Sequence, residues 1–216
     1  MTLDPGQPKW RRRKDARPSE IVAAAFAVFA EKGFAAARLD DIAARAGVSK
    51  GALYLYFETK EALFRAVVRD SVAPNIRAVA AVAEAFEGPF DQLIRMLLPR
   101  AAMVIQAAGL GRVLKMVVAE SGNFPELARA WHDDVISVGL GAVTRLIERA
   151  QARGEVRPGD PRVHAFSLIG PMITGVIWTE TFAPVGAEPV DLPAVALQHV
   201  ETVLGGLLLE PAESAA

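Results

Sequence analysis

The segment Gly47–Phe57, GVSKGALYLYF, places hydrogen-bonding and apolar side chains together within eleven residues. On a short helix, Leu53 and Phe57 are four residues apart on one face, while Lys50 and Tyr54 are four residues apart on another. The first face can anchor the helix in a core, which leaves the second free to contact a partner. The lysine ammonium and the tyrosine hydroxyl can donate hydrogen bonds to phosphate oxygens, so the chemistry suits a nucleic-acid backbone.

The neighbouring residues of this segment suit the same contact. Ser49 is a good N-cap for the helix. Gly51 has no side chain, so the backbone can approach another surface closely, although glycine costs about 1 kcal/mol of helix propensity relative to alanine. Ala52, like the ring of Tyr54, can meet a thymine methyl group in the major groove. These types and spacings favour a helix that reads double-stranded DNA.

The sequence contains few residues in patterns that would support catalysis or metal binding. The chain has no cysteine, which excludes disulfides, thiolate zinc sites and cysteine nucleophiles. His132, His164 and His199 are more than thirty residues apart and form no HExxH-type ligand pair. Asp133 and Asp134 follow His132, but adjacent residues on a helix point in different directions, so a solvated helix face is favoured. With no Gly-rich phosphate loop or nucleophile elbow either, the sequence predicts no metal, no cofactor and no enzyme.

Helices must position the reading segment. Hydrophobic residues make up 52% of the chain and aromatic residues only 7%, which favours helices packed through small side chains and excludes disorder of the whole. Helical spacing of apolar residues from Pro18 predicts a first helix that stops at Gly33. Leu39–Ala46 is predicted as a second helix, a third runs from Ser49 through residue 56, and Thr59 caps a fourth. Two short helices joined by a glycine turn form a helix-turn-helix unit.

Longer helices are predicted beyond residue 70. Pro74 is expected to kink the fourth helix, which then stops near Gly88. Gly- and Pro-rich breaks separate the rest. Further helices are predicted at 90–107, 110–121, 126–153, 161–181 and 193–208. The predicted fold is therefore all-α with about nine helices, an N-terminal three-helix helix-turn-helix domain preceding a larger C-terminal helical domain.

Charge is unevenly distributed along the chain. Residues 1–60 hold 11 Lys and Arg against 7 Asp and Glu, whereas residues 61–216 hold 13 against 18, for a net charge of −1. A basic N-terminal part is expected when only that end faces a polyanion, with an ordinary fluctuation of surface charge as the alternative. The basic run KWRRRKDAR is predicted to lie along DNA phosphates or in the minor groove; otherwise it is a solvated tail.

No membrane segment is expected. The ten apolar residues Ile21–Ala30 are too few to span a bilayer, and they lead into charge, so they do not form a signal peptide. The longest uncharged run, 163–179, is at the lower edge of a spanning length and contains Ser, Thr, Gly and Pro. It is better explained as a buried or interface helix. We expect a cytoplasmic protein with no membrane partner.

Three segments between Arg17 and Val68, IVAAAFAVFAEKGF, DDIAARAGVSKGALYLYF and TKEALFRAVV, resemble the DNA-binding domain of the TetR/AcrR transcriptional regulators. The resemblance implies a homodimer whose third helices enter successive major grooves of a palindromic operator. It also implies a C-terminal domain that binds a small molecule. The predicted boundaries are a flexible basic arm at 1–16, the DNA-binding domain at 17–70, the effector-binding and dimerisation domain at 71–210, and a tail at 211–216.

The resemblance also assigns residues to DNA. It places the start of the reading helix at 50–52 and its middle at 54–56. Lys60 matches a lysine that meets phosphate at the N-terminus of the fourth helix. Arg38 stands where a serine or threonine cap is common, and Ala52 where a threonine is common, so affinity is expected to rely more on cationic side chains. The predicted DNA-binding residues are Arg38, Arg45, Ser49, Lys50, Gly51, Ala52, Tyr54, Leu55, Tyr56 and Lys60.

For the effector, the resemblance implies a pocket among the central helices of the C-terminal domain. The segment AESGNFPELARAW, residues 119–131, resembles that of members controlling efflux pumps, which favours a mostly apolar or aromatic ligand. An acidic partner for a cationic ligand would have to be a residue such as Glu120 or Glu180. Methionine and aromatic residues also fill ordinary cores, which is the alternative for each candidate. The candidates are Met96, Met103, Phe124, Trp131, Met172, Thr174 and Trp178.

The last two predicted helices suit the four-helix interface of a homodimer, with intrachain core as the alternative. Two reading helices must lie about 34–36 Å apart on a palindromic site, which requires a dimer. The predicted interface residues are Phe166, Ile169, Ile173, Ile177, Val195, His199, Val203 and Leu207. The predicted function is a repressor released from its operator by an apolar effector. The alternatives are an effector-independent DNA-binding regulator and a helical small-molecule carrier.

Overall fold

The computed structural model describes residues 9–209, with side chains from residue 18 onward. The helices are α1 (Lys9–Ala36), α2 (Leu39–Arg45), α3 (Lys50–Tyr54), α4 (Lys60–Val67), α5 (Ala73–Ala85), α6 (Phe90–Ala107), α7 (Leu110–Glu120), α8 (Pro125–Trp131), α9 (Ser137–Ala152), α10 (Pro161–Thr181) and α11 (Leu192–Leu207). Single π-helical turns, Val68–Val72 and His132–Ile136, connect α4 to α5 and α8 to α9 without a break. The described chain therefore has nine continuous helices, and the predicted all-α fold is confirmed.

The first helix begins earlier than predicted. α1 starts at Lys9 and passes through Pro18, so residues 9–16, predicted to be a flexible arm, are helical. Lysine and arginine are good helix formers and this run contains no glycine, which explains the extension. The predicted stop at Gly33 agrees with the structure, where the residue has φ 77° and ψ 171°. Residues 1–8 and the predicted tail at 211–216 lie outside the described residues.

The helix-turn-helix head, which we define as α1–α4, is held together by a buried apolar core. Ile42 of α2 and Leu53 of α3 are fully buried in the same cluster as the rings of Phe29, Phe34 and Phe64. Because each of the two short helices contributes a buried anchor to that cluster, their outer faces are held in a fixed orientation.

Hydroxyl caps start two helices of the head. The Ser49 hydroxyl accepts a hydrogen bond from the Ala52 backbone N–H at 3.2 Å, which supports the predicted N-cap of α3. The Thr59 hydroxyl does the same for Ala62 at the start of α4, at 3.0 Å. Arg38 precedes α2 and makes no such bond. α2 therefore begins without a side-chain cap, as its sequence suggested.

The head and the C-terminal domain share a core. The ring of Phe34 in α1 packs against that of Phe124, which precedes α8, with a centroid separation of 4.9 Å. Leu127 and Trp131 of α8 are buried in the same cluster. The segment before α8 and α8 itself are therefore closely packed against the head.

The rest of the C-terminal domain has its own core. α6 packs along α11, and α9 packs against both α5 and α10. Phe90, Leu93, Ile147 and Leu168 are fully or almost fully buried between these helices. This cluster supports α10 and α11, whose outer faces also carry exposed apolar side chains, among them Phe166 and Leu197.

Candidate DNA-binding surface and ligand cleft

The face of α3 that points away from the head core and the turn that follows α3 carry exposed aromatic and aliphatic side chains. Leu53 is buried, as its spacing predicted, whereas Tyr54 is 44% exposed and Tyr56 is 38% exposed. Leu55, 84% exposed, is the most exposed large apolar residue in the described part of the chain. The helix ends at Tyr54, two residues earlier than predicted. Such an apolar surface on a short, well-anchored helix is suited to contact another molecule.

Carboxylates accompany the cations of this surface. Lys50 pairs with Asp40 at 2.9 Å, linking the start of α3 to the start of α2, and Arg45 pairs with Glu31 of α1 at 2.7 Å. The hydrogen bond to Asp40 raises the pKa of Lys50, and the hydrogen bond from Arg45 lowers the pKa of Glu31. Exposed ion pairs of this kind contribute little to stability. A DNA phosphate can therefore take the place of either carboxylate at little cost in folding free energy.

Lys60 has a partner that the sequence did not reveal. Its ammonium donates to three carbonyl oxygens at the end of α1, those of Phe34 at 2.7 Å, Ala37 at 3.1 Å and Ala35 at 3.2 Å. It also lies 4.5 Å from the centre of the Phe34 ring. An ammonium has three N–H donors, and all of them are used here. The contact of Lys60 with phosphate therefore stays a prediction, and in this conformation the side chain caps α1.

A small cleft lies in the C-terminal domain where α6, α7 and α10 meet the segment that leads into α11. Its volume is ≈ 30 Å³, room for about one or two water molecules. The walls are mostly apolar, with an amide, a hydroxyl and a carboxylate among them. The lining residues are Ile105, Gln106, Gly111, Val176, Thr179, Glu180, Val190 and Leu192.

The polar residues of the cleft were missed by sequence reasoning, apart from Glu180. The hydroxyl of Thr179 is buried and has no hydrogen-bond partner among the described residues. By contrast, Thr144, Thr174 and Thr202 each donate to the carbonyl oxygen four residues earlier. Glu180 lies against Gly111, where a β-carbon would come within 3.0 Å of its carboxylate oxygen. The residues that line the cleft thus include a buried hydroxyl without a partner among the described residues and a carboxylate.

Family comparisons account for both parts of the chain. Residues 21–67 match the family described as "Bacterial regulatory proteins, tetR family", and residues 88–192 match the "Tetracyclin repressor-like, C-terminal domain". The chain belongs to the TetR family. It is therefore a DNA-binding transcriptional regulator with a helix-turn-helix head, and it is not an enzyme.

Individual relatives agree with the TetR assignment along most of the chain. The HTH-type transcriptional regulator UidR of Escherichia coli (strain K12) is 26% identical over 198 residues, covering 90% of this chain and 95% of UidR. The structure of FadR from Bacillus subtilis in complex with stearoyl-CoA has a TM-score of 0.72 at 19% identity, covering 87% of this chain and 98% of FadR. The complex of triclosan with SmeT, a repressor from Stenotrophomonas maltophilia, has a TM-score of 0.72 at 23% identity, covering 90% and 93%. At these identities the two structures show the shared fold.

None of the predicted effector residues of this TetR-family protein lines the cleft, and their contact with an effector stays a prediction. Met96 and Met103 are about half exposed on α6, and Met172 is buried in a small core cluster. Thr174 is exposed, and the Trp178 indole N–H donates to the Glu188 carbonyl at 3.0 Å.

Two further effector predictions fall on the joint between the head and the C-terminal domain. Phe124 and Trp131 belong to the core cluster of the head. Glu120, proposed from sequence as a partner for a cationic ligand, hydrogen-bonds to backbone N–H groups of the head. Residue type and helix identity were the only guides to these predictions, and they do not determine which face of a helix points into a cavity.

The predicted dimer interface residues lie on two helices, α10 and α11, and differ in how exposed they are. On α10, Phe166 and Ile173 are 56% and 40% exposed, and Ile169 and Ile177 are half-buried, so all four remain candidates. α10 is also long and apolar enough to pass for a membrane span by length and composition, a property it shares with core helices of soluble proteins. This half of the predicted interface is compatible with the fold.

On α11 the prediction needs correction at Leu207, whereas Val195, His199 and Val203 are half-buried and stay predictions. Leu207 is buried within the chain, and Val195 and Val203 pack against intrachain clusters. The His199 ring forms a hydrogen bond with the Leu168 carbonyl oxygen at 3.1 Å. Apolar residues lie on both sides of α11, and at Leu207 the sequence pattern selected a residue of the inner side. Its outward side carries Leu197, at 59% exposure, and two glycines, 205 and 206, with open space beside them.

Proposed function

We propose that this TetR-family regulator is a repressor that leaves a palindromic operator when a mostly apolar small molecule binds its C-terminal domain. The observation that carries the proposal is the shared core, because the ring pair Phe34–Phe124 couples the head to the domain that contains the cleft. A change in the packing of one part therefore alters the position of the other. Binding to a palindrome requires a homodimer, which we place on the exposed faces of α10 and α11, in the cytoplasm.

The chemistry of the cleft supports an apolar effector with a polar group. Val176, Leu192 and Ile105 offer apolar walls, while Thr179 and Glu180 offer a hydroxyl and a carboxylate. A group that donates hydrogen bonds, such as a hydroxyl, an amide or a protonated amine, fits this pair. Two TetR-fold structures hold stearoyl-CoA and triclosan, both with a large apolar part.

The size of the cleft supports release by conformational change. Ligand pockets usually have volumes of about 300–1,000 Å³, whereas this cleft has ≈ 30 Å³. An effector must therefore separate α6, α7 and α10 to enter. Such a ligand stabilises an open conformation because it binds that conformation more tightly than the closed one. The factor by which the effector lowers affinity for operator DNA is also the factor by which operator DNA lowers affinity for the effector.

The proposal predicts that Tyr54→Ala lowers affinity for the operator by about tenfold or more, since aromatic contacts at an interface centre carry much of its binding energy. The side chain is 44% exposed, so the melting temperature should hardly change. The measurement is fluorescence anisotropy against a palindrome selected from a random DNA pool, over a salt series. Val185→Ala, a truncation at an 80% exposed residue in the C-terminal domain, is the control. Equal affinity of Tyr54→Ala and wild type would show that α3 does not read DNA through this residue.

A second prediction concerns Thr179→Val, which replaces an unpaired buried hydroxyl by a methyl group. We expect the free protein to be stabilised by about 1 kcal/mol, because an unsatisfied buried hydroxyl is costly. We also expect a several-fold higher effector concentration for release, since one hydrogen bond contributes about 0.5–1.5 kcal/mol. The measurements are thermal unfolding and operator release by a panel of apolar compounds.

Thr174→Val is the matched control on the same helix, because its hydroxyl is bonded to Gly170 at 3.1 Å outside the cleft. If Thr174→Val changed the effector concentration needed for release and Thr179→Val did not, the effector would bind at Thr174, the residue predicted from sequence, and not in the cleft. Release by no compound in wild type would favour the effector-independent regulator instead.

A further inference from the structure

Glu120, the last residue of α7, connects the C-terminal domain to the backbone of the head. Its carboxylate accepts hydrogen bonds from the N–H groups of Phe34 at 2.8 Å and Ala35 at 2.6 Å. Both N–H groups directly follow the interruption of α1 at Gly33. Bonds between an ionised carboxylate and N–H donors are short, directional and stronger than neutral ones.

The backbone at Gly33 is shaped to receive this carboxylate. Gly33 has φ 77°, a backbone conformation that residues with a β-carbon rarely adopt. A β-carbon there would lie 2.6 Å from the Glu120 carboxylate oxygen, closer than van der Waals contact allows. Glycine at this position therefore satisfies both the turn and the approach of the carboxylate.

The same turn is held from its other side within the head. Lys60 of α4 donates to the carbonyl oxygen of Phe34 at 2.7 Å. The N–H of Phe34 thus bonds to the C-terminal domain and its C=O bonds to the head. The Glu120 carboxylate holds the N–H of Phe34, and the Lys60 ammonium holds its carbonyl oxygen. The turn is therefore fixed relative to both domains.

Charge-assisted hydrogen bonds add direction to the apolar contacts at this joint. The Phe34–Phe124 contact contributes burial, which is non-directional. The two bonds to Glu120 supply direction. In a dimer, a small rotation of each head about this joint changes the distance between the two copies of α3, which must match the half-site separation.

We infer that Glu120 is a positioning residue that sets the head angle, and thereby the half-site spacing that the dimer accepts. The inference rests on the proposed reading of a palindromic operator. It assigns Glu120 no contact with DNA or effector. Its removal should therefore change the preference among spacings and leave the binding of a single head to a half-site unchanged.

The experiment measures affinity for the selected palindrome, for versions with the central spacer lengthened or shortened by one and two base pairs, and for an isolated half-site. We expect wild type to prefer one spacer by about tenfold or more, and Glu120→Ala to reduce that preference to about threefold or less, a change within the usual range of coupling between sites. Glu120→Gln, which retains one acceptor oxygen, should show an intermediate preference. Half-site affinity should stay within about twofold of wild type, consistent with the additivity of distant sites.

Controls separate this role from a general loss of structure. Glu148→Gln removes the same charge from an exposed residue on α9 that forms no ion pair with the described residues, and it should bind like wild type. Gly33→Ala disturbs the joint from the other side and should also weaken the spacer preference. Thermal unfolding of each variant establishes that it is folded at the assay temperature.

The outcomes are distinguishable. A selective wild type with equally selective Glu120 variants overturns the inference and leaves the proposed function intact. A uniform loss of affinity at every spacer and at the half-site overturns it as well, because that pattern indicates a purely structural role. A wild type that binds all spacers equally overturns both the palindromic reading and the inference that depends on it.

Discussion

Phe34→Ala is expected to lower the free energy of unfolding by about 3–5 kcal/mol, the usual cost of truncating a buried phenylalanine. The ring is fully buried, with the rings of Phe29, Phe64 and Phe124 at centroid distances of 5.5, 5.9 and 4.9 Å. Removing it leaves a cavity in contact with all three. For a chain of this length the melting temperature should fall by about 2–4 °C for each kcal/mol. Denaturant unfolding followed by circular dichroism measures the change.

The position of Phe34 also predicts a change in cooperativity. The ring joins the head to the C-terminal domain, so its loss should allow the head to unfold before the rest. We then expect two unfolding transitions, one reported by a probe in the head and one by a probe in the C-terminal domain, where wild type shows a single transition. Phe182→Ala, which truncates a 45% exposed ring, is the control and should cost far less. Similar costs for the two variants would contradict the central place given to Phe34 in the shared core.

The sequence predicted most of the fold because its signals are local. The spacing of Leu53 and Phe57 identified the inner face of α3, and Ser49 identified its cap. Glycine at 33 marked the interruption of α1. Each of these features depends on residues within one or two turns of helix, which are adjacent in the sequence.

The predictions that needed distant partners were less successful. The motif assigned Lys60 to phosphate, but the carbonyl oxygens it meets are more than twenty residues away. Glu120 is 86 residues from Phe34, and no sequence pattern predicted that contact. Leu207 has apolar neighbours on both sides of α11, so its inward direction is fixed only by tertiary packing. In each case the missing information was the partner, since the type of side chain had been recognised.

Lys60→Met is expected to separate the two roles assigned to this residue. The substitution keeps an unbranched, apolar side chain and removes the ammonium, which leaves the carbonyl oxygens of Phe34, Ala35 and Ala37 without this donor. Hydrogen bonds to charged groups contribute about 1.5–3 kcal/mol, so we expect a loss of about 2 kcal/mol in the free energy of unfolding. A phosphate contact would appear differently, as a fall of about 1 in the slope of log affinity against log salt.

Lys50→Met is the matched control, because the Lys50 side chain is 58% exposed and its ammonium pairs only with the exposed carboxylate of Asp40 among the described residues. We expect it to lower the salt slope by about 1 with little loss of stability, since exposed ion pairs contribute little. For Lys60→Met we expect the reverse pattern, a loss of stability with most of the salt slope retained. If Lys60→Met instead lowered the salt slope and left stability unchanged, its ammonium would have to leave the end of α1 when DNA binds. The cap on α1 would then be a feature of the free protein, exchanged for phosphate on the operator.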